Sequence, residues 1–323
     1  MKKNQTFLEL LYLLFISMRP LQLLKNLALF APLLFSGFLF YNPTDGPAFF
    51  YTVFQAFLVF SITTSSIYLI NDIVDKNSDQ KHPYKQKRPI AAGQLPVPVA
   101  IFTALTGLFI SVFLSLSFPP FFQLLIVAYI LLQLTYSFKL KHLPIFDILI
   151  IAIGFLIRIY AGAVVVDLHM SVWFLLTVVS ASLFLAVGKR QSERTLLKEK
   201  NLPATRKTLG LYSQRLLNIY TGMFANATWL TYALFTFQTE PARVQPAIER
   251  FPEIYVFLPR TLQSQKLLML SLPLVIFGVM RYLALIYEEN KGETPEKVLI
   301  KDKTLLVTVV VFIIAVTILI YAN

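Results

Sequence analysis

The chain has 323 residues, 56% of them hydrophobic and 14% charged, against about 25% charged in an ordinary globular domain, which excludes a water-soluble fold. Its net charge of +12 does not point to nucleic acid, because the basic residues are sorted by side of a membrane instead of being gathered into one patch. There is no cysteine, and the three histidines are not paired at metal-ligand spacing, so disulfides, thiolate zinc sites and iron–sulfur ligation are excluded too.

In chain order, "MKKNQTFLELLYLLFISMRP" has the basic start and apolar run of a signal peptide but no small-residue cleavage site after it. It predicts an uncleaved interfacial helix over 1–20. Windows of roughly twenty apolar residues, enough to cross a bilayer as helix, follow near 21–40, 48–70, 98–117, 120–138, 145–165, 171–188, 216–237, 264–287 and 304–321. The expectation is an all-α integral membrane protein with about nine transmembrane helices. With the connections assigned alternately to the two sides, the inside segments hold 22 of the 29 basic residues, and the outside loops only Arg243, Arg250 and Arg260. That bias predicts an N-terminus on the cytoplasmic side of the cytoplasmic membrane and a C-terminus outside. Loops 71–97, 139–144 and 189–215 then form one cytoplasmic face. No hydrophilic stretch is long enough for a separate soluble domain, so 1–323 reads as a single membrane domain, and the loop around 238–263, with four prolines, reads as an outer cap.

The first of these loops opens with "NDIVDKNSDQKHPYKQKRPIAAG", residues 71–93. With Asn71 at zero on a helical wheel, Asp72 falls near about 100°, Asp75 near about 40° and Asp79 near about 80°, so the four share one face. Three carboxylates within two turns repel one another unless a cation neutralises them, and oxygen-only ligands suit a hard ion such as Mg²⁺, with Mn²⁺ as an alternative. Because Mg²⁺ is usually shared with substrate phosphates, the expected third party is a phosphorylated ligand. His82-Pro83 ends the helix, and Lys85, Lys87 and Arg88 then supply the cations that a metal–diphosphate complex needs. The alternative is a solvated helix end whose aspartates pair with Lys76 and Lys81.

"NDIVDKNSD" resembles the first aspartate motif, N-D-x-x-D-x-x-x-D, of the UbiA-type superfamily of intramembrane prenyltransferases. The resemblance implies a UbiA-type helical bundle of nine helices that binds Mg²⁺ and a diphosphate at its cytoplasmic side, with Asp72, Asp75 and Asp79 as catalytic residues and, with Asn71, as metal ligands. Where typical members carry a second acidic motif, this chain has "AVGKRQSERTLL", with Lys189 and Arg190 in the acidic positions and Glu193 as the remaining carboxylate of that turn. The whole pattern is similar to the decaprenyl-phosphate phosphoribosyltransferase branch. It extends over "RPLQLLKN" at 19–26, "HPYKQKRPIAAG" at 82–93, "YSFKLKHLPIFD" at 136–147, "GFLIRIYAGA" at 154–163, "GKRQSE" at 188–193 and "RYLALIYEENKGETPEKVLIKD" at 281–302, departing at Leu23, where the branch usually shows an aromatic residue. The implied substrates are phosphoribosyl diphosphate and a polyprenyl phosphate lipid held within membrane lipids, with Lys85, Arg88, Lys189 and Arg190 meeting phosphates and no nucleic acid involved; the oligomeric state stays open. The rival enzyme reading is a prenyltransferase that moves a polyprenyl group to an aromatic or haem acceptor, and the rival from another class is a transporter or scaffold.

Other polar residues are further candidates for substrate binding. Asp147 and Arg158 lie eleven residues apart, close to three turns, with Gly154 between them, so they share a stripe of one helix. An arginine that deep needs either an ion pair within the bundle or a phosphate in a central cavity. Lys25 either snorkels or, with Asn26, faces the substrate. Tyr136, Ser137 and Lys141 close the fourth span at the cytoplasmic side, where tyrosine is commonly an interface anchor and Lys141, two residues from Lys139, reads as a topology signal or a weaker binding candidate. His82 and His142 read as loop or capping residues, and most of the 29 phenylalanines as lipid- or helix-facing.

Overall fold

The structure, a computed structural model, describes residues 6–81, 85–199, 210–238, 266–288 and 295–321. The expected helix stop at His82-Pro83 and all but the first residue of the expected cap around 238–263 lie outside the described residues. The chain runs through α1 (Phe7–Ser17), a 3₁₀ segment (Pro20–Phe30), α2 (Ala31–Ser36), α3 (Phe49–Val74), α4 (Lys76–Asp79), α5 (Val97–Ser115), α6 (Pro120–Phe138), α7 (Phe146–Val164), α8 (Val172–Glu199) and α9 (Gln214–Gln238). It continues into α10 (Leu272–Tyr287), α11 (Pro295–Lys301) and α12 (Lys303–Tyr321). No strand occurs among the described residues, as the apolar windows lead one to expect.

Among the described residues seven helices are long and apolar enough to span a membrane, and an eighth span results if Phe7–Ser17 and Pro20–Ser36 act as one bent pair. The protein is integral to a membrane. The count by length and apolarity therefore stops short of nine. The remaining window, 216–237, falls inside α9, which is 25 residues long but carries Asn218, Asn226 and four threonines. Three of those threonines hide their polarity locally. Thr221, Thr228 and Thr231 each donate to the carbonyl four residues back, at 2.7 Å, which satisfies the hydroxyl inside the helix itself.

The described residues group into two compact units. The first comprises Met1–Leu29, Thr52–Val166 and Leu202–Tyr212. In it Thr6 and Glu9 form a reciprocal capping box that starts α1. This helix and its C-cap Met18 pack Leu10, Leu13, Leu14 and the methionine onto a core of Leu69, Ile90, Leu95, Ala100 and Ala104, while Phe7, Leu8, Tyr12 and Phe15 face outward. Prolines open α5 and α6, where the missing N–H has no helical partner to lose. A Cβ at Gly162 would run into the carbonyl oxygen of Leu29, and one at Gly107 into the Ser66 hydroxyl, so glycine at these points lets backbone and neighbour approach closely.

The second unit comprises Phe30–Tyr51, Asp167–Asn201 and Ser213–Asn323. Its most extensive helix pair is α8 with α9, and Phe184, Ala225, Tyr282, Leu285, Ile286, Val298 and Leu305 form its core. Arg281 grips Asp302 through two bonds, Nε to Oδ1 at 3.2 Å and Nη2 to Oδ2 at 2.5 Å. Asp302 in turn accepts from the Leu305 amide at 2.8 Å, capping α12.

Candidate active site

The aspartate motif lies in the first unit, where α3 gives way to α4. The helix labels change at Asp75, yet the backbone ladder does not: the amide of Asp75 donates to Asn71 at 2.9 Å and that of Asp79 to Asp75 at 2.8 Å. The shared face predicted from the wheel is therefore kept through the junction. Asp72, Asp75 and Asp79 are all buried, which requires that their charges be met.

They are met by three cations drawn from separate parts of the chain. Arg19 Nη2 donates to Asp72 Oδ1. Arg88 Nη1 reaches both Asp72 Oδ1 at 3.0 Å and Asp79 Oδ2 at 2.6 Å. Lys141 Nζ donates to Asp75 Oδ1, and Lys141 is itself only 4% exposed, so it does not serve as a solvated topology signal. Asn71 Oδ1 accepts from Ser137 at 3.2 Å, which joins the end of α6 to the motif. Just after the motif, Gln80 Nε2 donates to the Ala91 carbonyl at 3.0 Å. Lys85 stands half-buried three residues before Arg88, Tyr136 is half-buried at the end of α6, and Lys76 and Lys87 stand at the surface or half-buried. The ion-pair partners of the three aspartates are Arg19, Arg88 and Lys141, where the solvated-helix alternative expects Lys76 and Lys81.

As the side chains stand, no three carboxylates or imidazoles among the described residues converge closely enough to hold a metal ion. The donor chemistry nevertheless fits Mg²⁺: Asn71, Asp72, Asp75 and Asp79 offer oxygen alone, on one face of one helix end. A metal could engage them only if the cations now paired with the carboxylates turned to another anion.

Deeper in the same unit a second polar group forms around Arg158, without a carboxylate. Arg158 donates to Asn26 Oδ1 at 2.9 Å, to the Gly154 carbonyl at 2.8 Å and to Tyr129 Oη at 2.6 Å. The rings of Tyr129, Phe155 and Phe60 stand 4.9, 5.5 and 5.7 Å from its guanidinium carbon, an aromatic cage that suits a buried cation. The Asn26 amide donates to Ser61 at 3.1 Å and Thr64 at 3.0 Å. The structure thus brings Asn26 and Arg158 together, but some two turns or more along α3 from the aspartates. A hydrogen-bond partner of Asp147 is a tyrosine from another segment. The carboxylate accepts from Tyr212 at 2.6 Å, and the same hydroxyl takes the Ile145 amide at 2.5 Å. Lys25 bonds its neighbour Gln22 at 2.8 Å, and His142 is exposed.

In the second unit, α8 carries "GKRQSE". Arg190 pairs with Glu193 at 3.0 Å, and both are buried, whereas Lys189 is half-buried. Gln191 donates to Asn218 at 2.7 Å. Toward the other end of α8, a cavity of about 610 Å³ is lined by Phe35, Trp173, Phe174 and Phe235, with His169 and Gln238 among its polar residues.

Arg19, Tyr129 and Tyr212 went unmarked in the sequence reading. Arg19 sits in the quoted stretch "RPLQLLKN", directly before a proline, and its backbone takes a left-handed φ of 54°, a conformation that a non-glycine residue adopts only when its surroundings hold it there. That dipeptide at the end of an apolar run was the available signal.

The profile of the UbiA prenyltransferase family matches residues 29–298. The chain is 34% identical over 308 residues to a decaprenyl-phosphate phosphoribosyltransferase of Corynebacterium glutamicum, a match that spans 94% of this chain and 86% of that one. It is 37% identical over 295 residues to the enzyme of the same name from Mycolicibacterium smegmatis, spanning 90% of this chain and 86% of the relative. In three dimensions it resembles a UbiA homolog from Archaeoglobus fulgidus bound to DMAPP and Mg²⁺, with a TM-score of 0.66 at 15% identity over 96% of this chain and 99% of the other. At that identity the likeness speaks for the fold. The chain belongs to the UbiA prenyltransferase family.

Proposed function

We propose that this protein transfers 5-phosphoribose from phosphoribosyl diphosphate to a polyprenyl phosphate, releasing diphosphate. The observation that carries the reading is the meeting of Asp72, Asp75 and Asp79 with Arg19, Arg88 and Lys141: one buried cluster holds oxygen ligands for a metal and cations for phosphate oxygens. Support also comes from the relatives' shared name over nine-tenths of the chain. Further support lies in Lys189 and Arg190, which stand where the typical second motif is acidic and so favour a more anionic pair of substrates than prenyl transfer presents.

Asp72, Asp75 and Asp79, with Asn71, would hold the divalent ion in this reading. When bound, Mg²⁺ would draw charge from the departing diphosphate and so weaken the anomeric C–O bond. Arg19, Arg88, Lys141 and Lys85 neutralise phosphate oxygens. An oxygen of the lipid phosphate forms the new bond at ribosyl C1 as the bond to diphosphate breaks, on the opposite face. That phosphate is ionised at neutral pH, so no side chain has to remove a proton. Arg158, Asn26, Asp147, Tyr136 and Lys25 shape the surroundings, and the aspartate face is cytoplasmic.

The test is incubation of the purified protein with labelled phosphoribosyl diphosphate, Mg²⁺ and either a polyprenyl phosphate or an aromatic acid plus polyprenyl diphosphate. Label appearing in lipid only with the first pair is the expected result. Prenylation of the aromatic acid without phosphoribosyl transfer would refute the reading.

A further inference from the structure

In the ion pairs of the aspartate cluster, acids and bases are equal in number. Asp72, Asp75 and Asp79 supply three acids, and Arg19, Arg88 and Lys141, the partners in their ion pairs, supply three bases. The acids are at most 9% exposed and Lys141 is 4% exposed, so water screens these charges poorly. A lone divalent cation arriving at such a cluster leaves it with two surplus positive charges, and it must also compete with three fixed cations for the same carboxylate oxygens. A divalent cation already bound to a diphosphate brings more negative charge than positive. Its phosphate oxygens offer Arg19, Arg88 and Lys141 new acceptors as the carboxylates turn to the metal, so the partners exchange and no buried charge is stranded.

From this balance we infer that Arg19, Arg88 and Lys141 act as a charge gate: the site refuses a free divalent ion and takes up the metal only together with a diphosphate. The inference rests on the proposed role of Asp72, Asp75 and Asp79 as metal ligands. It adds the chemical form in which the substrate is recognised, and it makes Arg19 a diphosphate-binding residue. Arg88 is the central element, because one guanidinium bridges Asp72 and Asp79 and thereby ties the loop that carries it to both ends of the motif.

The test is equilibrium dialysis of the full chain in lipid nanodiscs against Mn²⁺, read by electron paramagnetic resonance, with and without inorganic diphosphate. The wild-type protein is expected to bind Mn²⁺ at least tenfold more tightly in the presence of diphosphate. Arg88→Gln and Lys141→Gln each leave the cluster one negative charge in excess, and each is expected to bind Mn²⁺ alone at least tenfold more tightly than wild type. The Arg88 side chain is 25% exposed, so that variant keeps the comparison open should the change at Lys141 impair folding, and the wild-type comparison needs no variant. Equal affinity for Mn²⁺ with and without diphosphate would overturn the gate while leaving the aspartates as metal ligands. Absence of bound Mn²⁺ in both conditions, with labelled phosphoribosyl diphosphate still retained, would overturn both the gate and the metal assignment.

Discussion

Replacing Asp75 by asparagine removes a charge and almost no volume, and the consequence can be worked out from its partner. Asp75 Oδ1 receives the Lys141 ammonium, and the two side chains are 11% and 4% exposed. In Asp75→Asn the ammonium faces an amide where it faced a carboxylate, and breaking a buried pair from one side costs about 3–5 kcal/mol. Even the lower figure, about 3 kcal/mol, is roughly a hundredfold in the folding equilibrium. The double change Asp75→Asn with Lys141→Met removes both charges and should recover stability to within about 1 kcal/mol of wild type. Activity should behave differently. Both the single and the double variant are expected to lose Mg²⁺-dependent transfer, because neither restores a carboxylate for the metal. Denaturant unfolding in detergent micelles and initial rates on the same preparations separate the two effects. A single variant as stable as wild type would refute the buried pair, and a double variant with near wild-type rates would refute Asp75 as a metal ligand.

Arg158→Lys keeps the charge but loses the planar fork that serves Asn26, Gly154 and Tyr129. A stability loss of about 2–4 kcal/mol is expected from the bonds that a lysine cannot make, measured by the same unfolding assay, and an unchanged midpoint would contradict it. Gly162→Ala should destabilise by about 1–3 kcal/mol because its Cβ meets backbone at Leu29, whereas Gly222→Ala, with open space around it, should be neutral or stabilise α9 by up to about 1 kcal/mol; thermal shift assays compare the two. Single cysteines at Lys87 and Ser117, both exposed and separated by α5, should label from opposite sides of the membrane. Reaction of both with an impermeant reagent added outside only would reject the proposed topology.

How much of this could be read from the residues depended on the distance over which each feature acts. The common face of Asn71, Asp72, Asp75 and Asp79 is a local consequence of helical spacing, and it survives the break at Asp75 because the backbone bonds continue across it. The partners of those aspartates are another matter. Arg19 lies 53 residues from Asp72 and Lys141 66 residues from Asp75, and no periodicity encodes such a meeting. Read locally, Lys141 is a topology signal and Arg19 only the end of an apolar run. The stripe of Asp147 and Arg158 was a correct reading of helix geometry, but a separation of eleven residues is about 16 Å of rise, too far for two side chains of one straight helix to pair. Each found a partner from another segment, Tyr212 for the acid and Asn26 for the base. Hydropathy likewise located the apolar helices well and was least decisive at α9, where side-chain hydroxyls bonded to their own helix count as polar in a sequence and are satisfied in a fold.

That helix also bears on how the protein is made. A segment 25 residues long spans about 38 Å, enough to cross a bilayer, yet Asn218 and Asn226 set it against entering lipid unaccompanied. Its closest companion, α8, is synthesised immediately before it and reaches Asn218 through Gln191. The two are thus suited to enter the membrane as a hairpin, with α8 shielding Asn218 from hydrocarbon. A chain truncated shortly after α8 would then lack the partner that accepts its buried glutamine, so membrane quality control would meet an incomplete hairpin rather than a stable shorter protein.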